Sequence, residues 1–230
     1  MARKNGVLFD LGGTLVEYYR REQFPEVLRQ AIGEVEACVL WHGLPVPPAE
    51  RLWENVQTEN HESADFRVRP LEERLARIFE LSHGPLDEMC RRFLRPVFAL
   101  ATVYPDALPT LERLRAFSRR IAIVSNTPWG SPPEPWREEV ERLGLAERAD
   151  VVLFCSDVGW RKPAAPVFHE ALRRLGLTAD ECLFVGDDPR WDLAGARGVG
   201  MDAVLVDRGG ARRSPGETWV SGLEELLGLV

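Results

Sequence analysis

The stretch that most constrains the fold of this chain is a short apolar run close to its start, Gly6-Val7-Leu8-Phe9, which ends at Asp10. A continuous apolar run bounded by turn residues is typical of a buried strand in a parallel sheet. Ligand sites of such sheets lie just beyond the carboxyl ends of their strands. Asp10 therefore occupies a position suited to a nucleophile or a metal ligand, although an Asp that only caps the following turn would give the same pattern.

Two different patterns follow this run. Helical spacing of apolar residues recurs near 20–43 and then from Pro48, from Pro70 and from Pro85, with no strand pattern between these segments. We therefore predict an all-α helical-bundle cap of residues 17–101, inserted as a unit into a core of residues 1–16 and 102–230.

From about residue 102 onward, strand and helix patterns alternate. Strands are predicted at 121–124, 151–154, 182–185 and 203–206. Such alternation predicts an α/β fold, with a doubly wound parallel sheet of the Rossmann-like type and right-handed crossovers.

Charge and composition narrow the class of partner. The 230-residue chain has a net charge of −7, which argues against nucleic acid, because binding a phosphate backbone requires concentrated Lys and Arg. No apolar segment approaches the roughly 18 residues of a membrane helix, and no signal-peptide pattern is present. The four cysteines form no CxxC pair, so we expect reduced structural thiols and a cytoplasmic protein.

Polar side chains follow three of the predicted strands. Asp10 follows the first, Ser125 and Asn126 follow another, and Asp187 and Asp188 follow a third. Since the carboxyl ends of parallel strands can meet at one edge, these carboxylates would repel each other unless a cation lay between them. Mg²⁺ suits one or two carboxylates with water and a phosphate, and Asp is an established nucleophile in aspartyl-phosphate chemistry.

In their order along the chain, these motifs resemble those of the haloacid dehalogenase-like (HAD) hydrolases, in the branch with a helical cap. The run Asp10-Leu11-Gly12-Gly13-Thr14-Leu15 is similar to the family's D-x-D-G-T-L motif. Ser125 and Lys162-Pro163 look like the second and third motifs, and 186–196 is similar to the fourth, G-D-x4-D-x-x-G-A. The resemblance covers essentially the whole chain and implies a HAD-type core with a cap that covers the site.

The resemblance also implies site roles. Catalytic roles would fall to Asp10, Thr14, Ser125, Asn126 and Lys162, with Asp10 as the nucleophile and Ser125 and Lys162 holding the phosphoryl group. The substrate would be a small phosphorylated metabolite. The family gives no oligomeric state for this chain.

Mg²⁺ is the implied cofactor. Its ligands would be Asp10, Asp187 and the backbone carbonyl of Gly12, with Asp192 supporting them and Asp188 contributing a ligand or a supporting contact. Arg67 and Arg69 precede the third cap helix and could grip an anionic group of the substrate, or could be solvated loop charges.

Gly12 departs from the family pattern, because most family phosphatases carry a second Asp there as general acid and base. Such catalysis contributes about 10²–10⁴-fold, so we expect slow turnover of alkyl phosphates and better turnover of acyl or aryl phosphates. A catalytically silent binding protein remains an alternative. A metal-independent 2-haloacid dehalogenase fits Gly12 but not Gly186-Asp187, and a phosphonatase would need a lysine that 17–101 lacks.

Overall fold

The computed structural model describes residues 4–210 and 216–230. Its strands are β1 Gly6–Phe9, β2 Val16–Glu17, β3 Thr102–Val103, β4 Arg120–Ser125, β5 Val151–Phe154, β6 Cys182–Gly186, β7 Asp202–Val206 and β8 Trp219–Val220. Six of them form one parallel sheet in the order β5-β4-β1-β6-β7-β8. This confirms the predicted α/β fold. The sequence reading did not include β2, β3 and β8, because two residues are too few to show a periodic pattern.

The α-helices are α1 Phe24–Trp41, α2 Ala49–Glu59, α3 Leu71–Ile78, α4 Leu86–Ala99, α5 Ala107–Ala116, α6 Pro133–Arg142, α7 Cys155–Val158, α8 Ala165–Leu175 and α9 Ala194–Gly198. Helices α5 and α8 pack on opposite faces of the sheet, whereas α1 to α4 pack chiefly against one another. Two predicted helices differ in detail. The one near 191–197 begins as a π-helical turn, Pro189–Leu193, and the C-terminal one is a 3-10 helix, Leu223–Gly228.

The side chains of β1 alternate between two apolar layers. Val7 and Phe9 belong to a cluster that includes residues of α1 to α5, whereas Leu8 packs with residues of α8 on the opposite face. All four residues of β1 are buried. Because successive strand residues point to opposite faces, this one short strand anchors both layers.

Four helices, α1 to α4, lie between β2 and β3 in the chain. These two short strands pair antiparallel, with Val16 opposite Val103 and Glu17 opposite Thr102. The pairing brings together the two ends of the helical segment. The boundaries of a cap at 17–101 stay a prediction.

Cys38, Cys90, Cys155 and Cys182 are all buried and free. Among the described residues, no helix combines the length and the apolar character needed to cross a bilayer.

Candidate active site at the strand ends

Asp10 lies directly after β1, in the centre of the sheet. Its backbone N–H donates to the carbonyl of Val185 at 2.9 Å, which continues the pairing of β1 with β6. The hydroxyl of Thr14 donates to Asp10 Oδ2 at 3.3 Å. The carboxylate is therefore held at the carboxyl edge of the sheet, with only 6% of the residue exposed.

Three carboxylates converge at this edge. Carboxylate oxygens of Asp10, Asp187 and Asp192 all lie within 4.8 Å of one another. Two glycines leave room for them, because a Cβ on Gly13 would lie 2.4 Å from Asp187 Oδ2 and one on Gly186 would lie 2.4 Å from Asp192 Oδ2. Gly13 also has a φ of +85°, which favours glycine.

Lys162 brings an ammonium into the same cluster. Its Nζ lies 2.5 Å from Asp10 Oδ1 and 2.7 Å from Asp192 Oδ1, and it donates to the carbonyl of Val124 at 3.0 Å. Asn126 fixes the backbone on both sides of this lysine. The Lys162 N–H donates to Asn126 Oδ1 at 2.8 Å, and Asn126 Nδ2 donates to the Lys162 carbonyl at 3.2 Å.

Burial and charge together set the ionisation of this cluster. Burial raises the pKa of Asp10 against the opposing charge of Lys162, and the charge of Asp187 raises it further. Burial also raises the pKa of Asp192 to about 6, again opposed by Lys162. Burial disfavours the ammonium of Lys162, but the charges of Asp10 and Asp192 outweigh this and raise its pKa.

A divalent cation fits this donor set. With its three carboxylates ionised, the cluster of Asp10, Asp187, Asp192 and Lys162 has a formal charge of −2, in a largely buried position. Uncompensated buried charge is costly, and hard oxygen donors are those that Mg²⁺ prefers. The residues present therefore suit Mg²⁺.

A cleft of about 760 Å³ opens beside the cluster. Gly12, Ser125, Asn126 and Asp187 contribute to its lining. Ser125 is buried, and its hydroxyl donates to the carbonyl of Asn126 at 3.2 Å. Several further residues that sequence reasoning missed also line the cleft, namely Tyr18, Tyr19, Arg20, Arg21 and Arg208. Their positions in the sequence could have indicated this, because they lie shortly after the Asp10 run or shortly after β7.

Asp188 lies beside the cluster, but its carboxylate is used elsewhere. Asp188 Oδ1 accepts hydrogen bonds from the backbone N–H groups of Arg190 and Trp191, at 2.8 and 3.0 Å. It thereby caps the turn that carries Asp192, whose own Oδ2 accepts the N–H of Asp188 at 3.1 Å. Of the two roles expected for Asp188, the structure is compatible with support through Asp192.

Arg67 and Arg69, for which the sequence left open a substrate-binding role or a loop charge, are not among the residues that line this cleft. The Arg67 guanidinium stacks 4.0 Å from the ring centroid of Trp160. Arg69 pairs with Glu59 at 2.5 Å and donates to the carbonyl of His61. Residues 66–68 pair with residues 159–161, which are distant in sequence. This pairing sets the course of the loop that carries both arginines.

Fold and site together define a Rossmann-like α/β protein with an acidic sheet edge whose donors suit a divalent cation. The family model described as haloacid dehalogenase-like hydrolase matches residues 4–200, and the chain belongs to that family of enzymes. Over 160 residues it is 32% identical to phosphoserine phosphatase of Thermus thermophilus, which covers 70% of this chain and 64% of that protein. Over 175 residues it is 33% identical to a phosphatase of Mycobacterium tuberculosis, with coverages of 74% and 77%. The match thus spans less than two thirds of the first relative.

Solved structures of two different activities are similar to this fold. A HAD phosphatase from Thermococcus onnurineus has a TM-score of 0.68 and 27% identity, covering 98% of this chain and 97% of that one. A 2-haloacid dehalogenase from Pseudomonas syringae has a TM-score of 0.72 and 25% identity, with the same coverages. Overall shape therefore does not separate the two chemistries.

Proposed function

We propose that this protein is a cytoplasmic, Mg²⁺-dependent phosphatase of small phosphorylated metabolites, with Asp10 as its covalent nucleophile. The observation that carries the proposal is the cluster in which the carboxylates of Asp10, Asp187 and Asp192 converge, with Lys162 paired to Asp10 and Asp192. Halide expulsion needs no cation, whereas phosphoryl transfer depends on offsetting the charge of the phosphoryl oxygens. Relatives named as phosphoserine, glyceraldehyde 3-phosphate and phosphoglycolate phosphatases support the substrate class.

In the proposed reaction, a carboxylate oxygen of Asp10 attacks phosphorus and the bond to the leaving oxygen breaks, which forms an aspartyl-phosphate. Water then attacks phosphorus, the bond between phosphorus and the Asp10 oxygen breaks, and inorganic phosphate leaves; with Gly12 in place of the acid, solvent supplies the proton to the leaving oxygen and accepts the proton of the attacking water. The Lys162 ammonium and the Ser125 hydroxyl would hold phosphoryl oxygens, and Asn126 positions Lys162 through its two backbone hydrogen bonds. Mg²⁺, held by Asp10, Asp187 and the Gly12 carbonyl, would supply charge neutralisation. Residues 17–101 would exclude bulk water as a cap.

Gly12 allows a direct test of the missing general acid. A Cβ at this position would lie 3.6 and 3.9 Å from carbons of the Tyr18 ring, which is ordinary van der Waals contact, so a side chain can begin here without a backbone clash. We expect Gly12→Asp to raise kcat on alkyl phosphates by about 10²-fold, and to raise kcat on acetyl phosphate much less, because acyl leaving groups need little protonation. Steady-state phosphate release from both substrates by both proteins measures this difference.

A silent binding protein and a dehalogenase would each give a different result from a phosphatase when phosphate release and chloride release are both measured. A catalytically silent binding protein would stay inactive in both forms on every substrate. A 2-haloacid dehalogenase, which Gly12 and the Pseudomonas syringae structure favour, would release chloride from 2-chloropropionate in excess chelator. Metal-dependent phosphate release without chloride release supports the proposal.

Arg20 and Arg21 replace Arg67 and Arg69 as the proposed substrate-binding residues. Arg20 lines the cleft, is 76% exposed at its side chain and lies only 3.6 Å from Glu17 in a weak ion pair. A hydrogen bond to a charged group contributes about 1.5–3 kcal/mol, so Arg20→Ala with Arg21→Ala should raise KM for phosphoglycolate about tenfold or more. KM for p-nitrophenyl phosphate, which has no carboxylate, should stay constant. Arg67→Ala is the matched control, and equal KM changes for both substrates would contradict the assignment.

A further inference from the structure

A second group of metal-ligating side chains lies on the helices between β2 and β3. Cys38 lies in the last turn of α1 and His42 directly follows that helix, whereas Glu88 lies in the first turn of α4. One ligand atom from each lies within 4.8 Å of the others. The His42 N–H donates to the carbonyl of Cys38 at 3.2 Å, so the end of α1 keeps the i and i+4 spacing that places both side chains on one face.

Burial and hydrogen bonding prepare the group for a cation. Cys38 is 1% exposed, whereas the side chains of His42 and Glu88 are 37% and 40% exposed. Glu88 Oε2 lies 2.9 Å from His42 Nε2, while Glu88 Oε1 accepts from Arg92 at 3.2 Å. Arg92 thus orients the carboxylate and leaves its other oxygen facing the histidine. The exposed side leaves an entry path for an ion and water.

We propose that Cys38, His42 and Glu88 form a Zn²⁺ site, with water as the fourth ligand. A thiolate, an imidazole and a carboxylate are the donors that tetrahedral Zn²⁺ takes, whereas Mg²⁺ prefers oxygen donors alone. The site is thereby chemically distinct from the all-oxygen cluster around Asp10. A bound ion would join the end of α1 to the start of α4 and stabilise the helical segment.

Cobalt substitution tests the sulfur ligand directly. Titration of the full-length protein with Co²⁺ should give a thiolate-to-cobalt charge-transfer band and the visible bands of tetrahedral cobalt, which Zn²⁺ then displaces. The charge-transfer band requires a sulfur ligand, and the cluster around Asp10 contains none. The band should therefore persist in Asp10→Asn. Zn²⁺ should also raise the Tm of the protein.

Matched variants separate ligation from a change in folding. Mutation of a residue that only hydrogen-bonds a metal ligand weakens metal binding by roughly 10–100-fold. Loss of a ligand itself should cost more, so Cys38→Ala and His42→Gln should each weaken Zn²⁺ binding by more than about 100-fold. Cys90→Ala, at another buried thiol, and His83→Gln, at another exposed histidine, should bind Zn²⁺ like the wild type. Absence of the charge-transfer band, or Zn²⁺ binding retained in Cys38→Ala, would overturn the proposal.

Discussion

We expect Asp10→Asn to lower kcat/KM for acetyl phosphate by about 10⁴-fold or more, because an amide cannot serve as the proposed nucleophile that forms the aspartyl-phosphate. The amide keeps nearly the same shape, and Asp10 lies in a buried pocket fixed by Thr14 and Lys162, so the loss reports chemistry more than folding. Initial rates of phosphate release in saturating Mg²⁺ measure it. Circular dichroism and Tm of the variant verify that the fold is kept.

The control is a carboxylate far from the strand ends. Asp87 is 82% exposed at its side chain, and Asp87→Asn should turn over acetyl phosphate like the wild type. Asp187→Asn should lose activity at limiting Mg²⁺ and regain part of it as Mg²⁺ is raised. If Asp10→Asn kept activity within tenfold of the wild type, the nucleophile would have to be another group.

The convergence of Asp10 and Asp187 could be predicted from the sequence because each residue follows the carboxyl end of a parallel strand. Each residue follows an apolar run, and the two runs are neighbours in the sheet with Phe9 opposite Val185. Any pair of residues at the ends of adjacent parallel strands meets in this way, whatever the loops do. Apolar patterning thus places each carboxylate at the end of a strand, and the strand order of the sheet makes the two ends neighbours.

Loop side chains were less predictable because tertiary contacts orient them. Arg67 and Arg69 have the charge of substrate-binding residues, but pairing of their loop with 159–161 turns them to Trp160 and Glu59. Asp188 adjoins Asp187 in sequence, yet backbone N–H groups of the next turn take up its carboxylate. Charge and spacing in a sequence do not specify which neighbour a loop side chain will meet.

Lys162→Met should destabilise the protein by about 3–5 kcal/mol in the presence of chelator, because it leaves the buried carboxylates of Asp10 and Asp192 without their cation. Urea unfolding at about pH 8 measures this loss. Mg²⁺ should recover part of it, since an ion bound only by the folded state stabilises that state. The gain from Mg²⁺ should therefore be larger in the variant than in the wild type.

The chain offers an internal control, since Lys4 is its only other lysine and is also buried. Its partner Asp202 is 52% exposed at the side chain, so water can solvate that carboxylate once the lysine is gone. Lys4→Met should cost at most about 1 kcal/mol and should show no dependence on Mg²⁺. Equal losses in the two variants would mean that Lys162 acts through packing rather than through charge.

The pH dependence of the Lys162→Met deficit provides a further check on its electrostatic origin. The pKa of Asp192 is about 6 with the ammonium present, above the usual value for Asp, and removal of Lys162 raises it further because Lys162 lowers it. The folded variant then binds more protons than its unfolded chain, so its stability increases as pH falls. The loss of unfolding free energy in Lys162→Met relative to the wild type should therefore be smaller at about pH 5.5 than at about pH 8. A deficit that is constant over this range would contradict a charge-based role for Lys162.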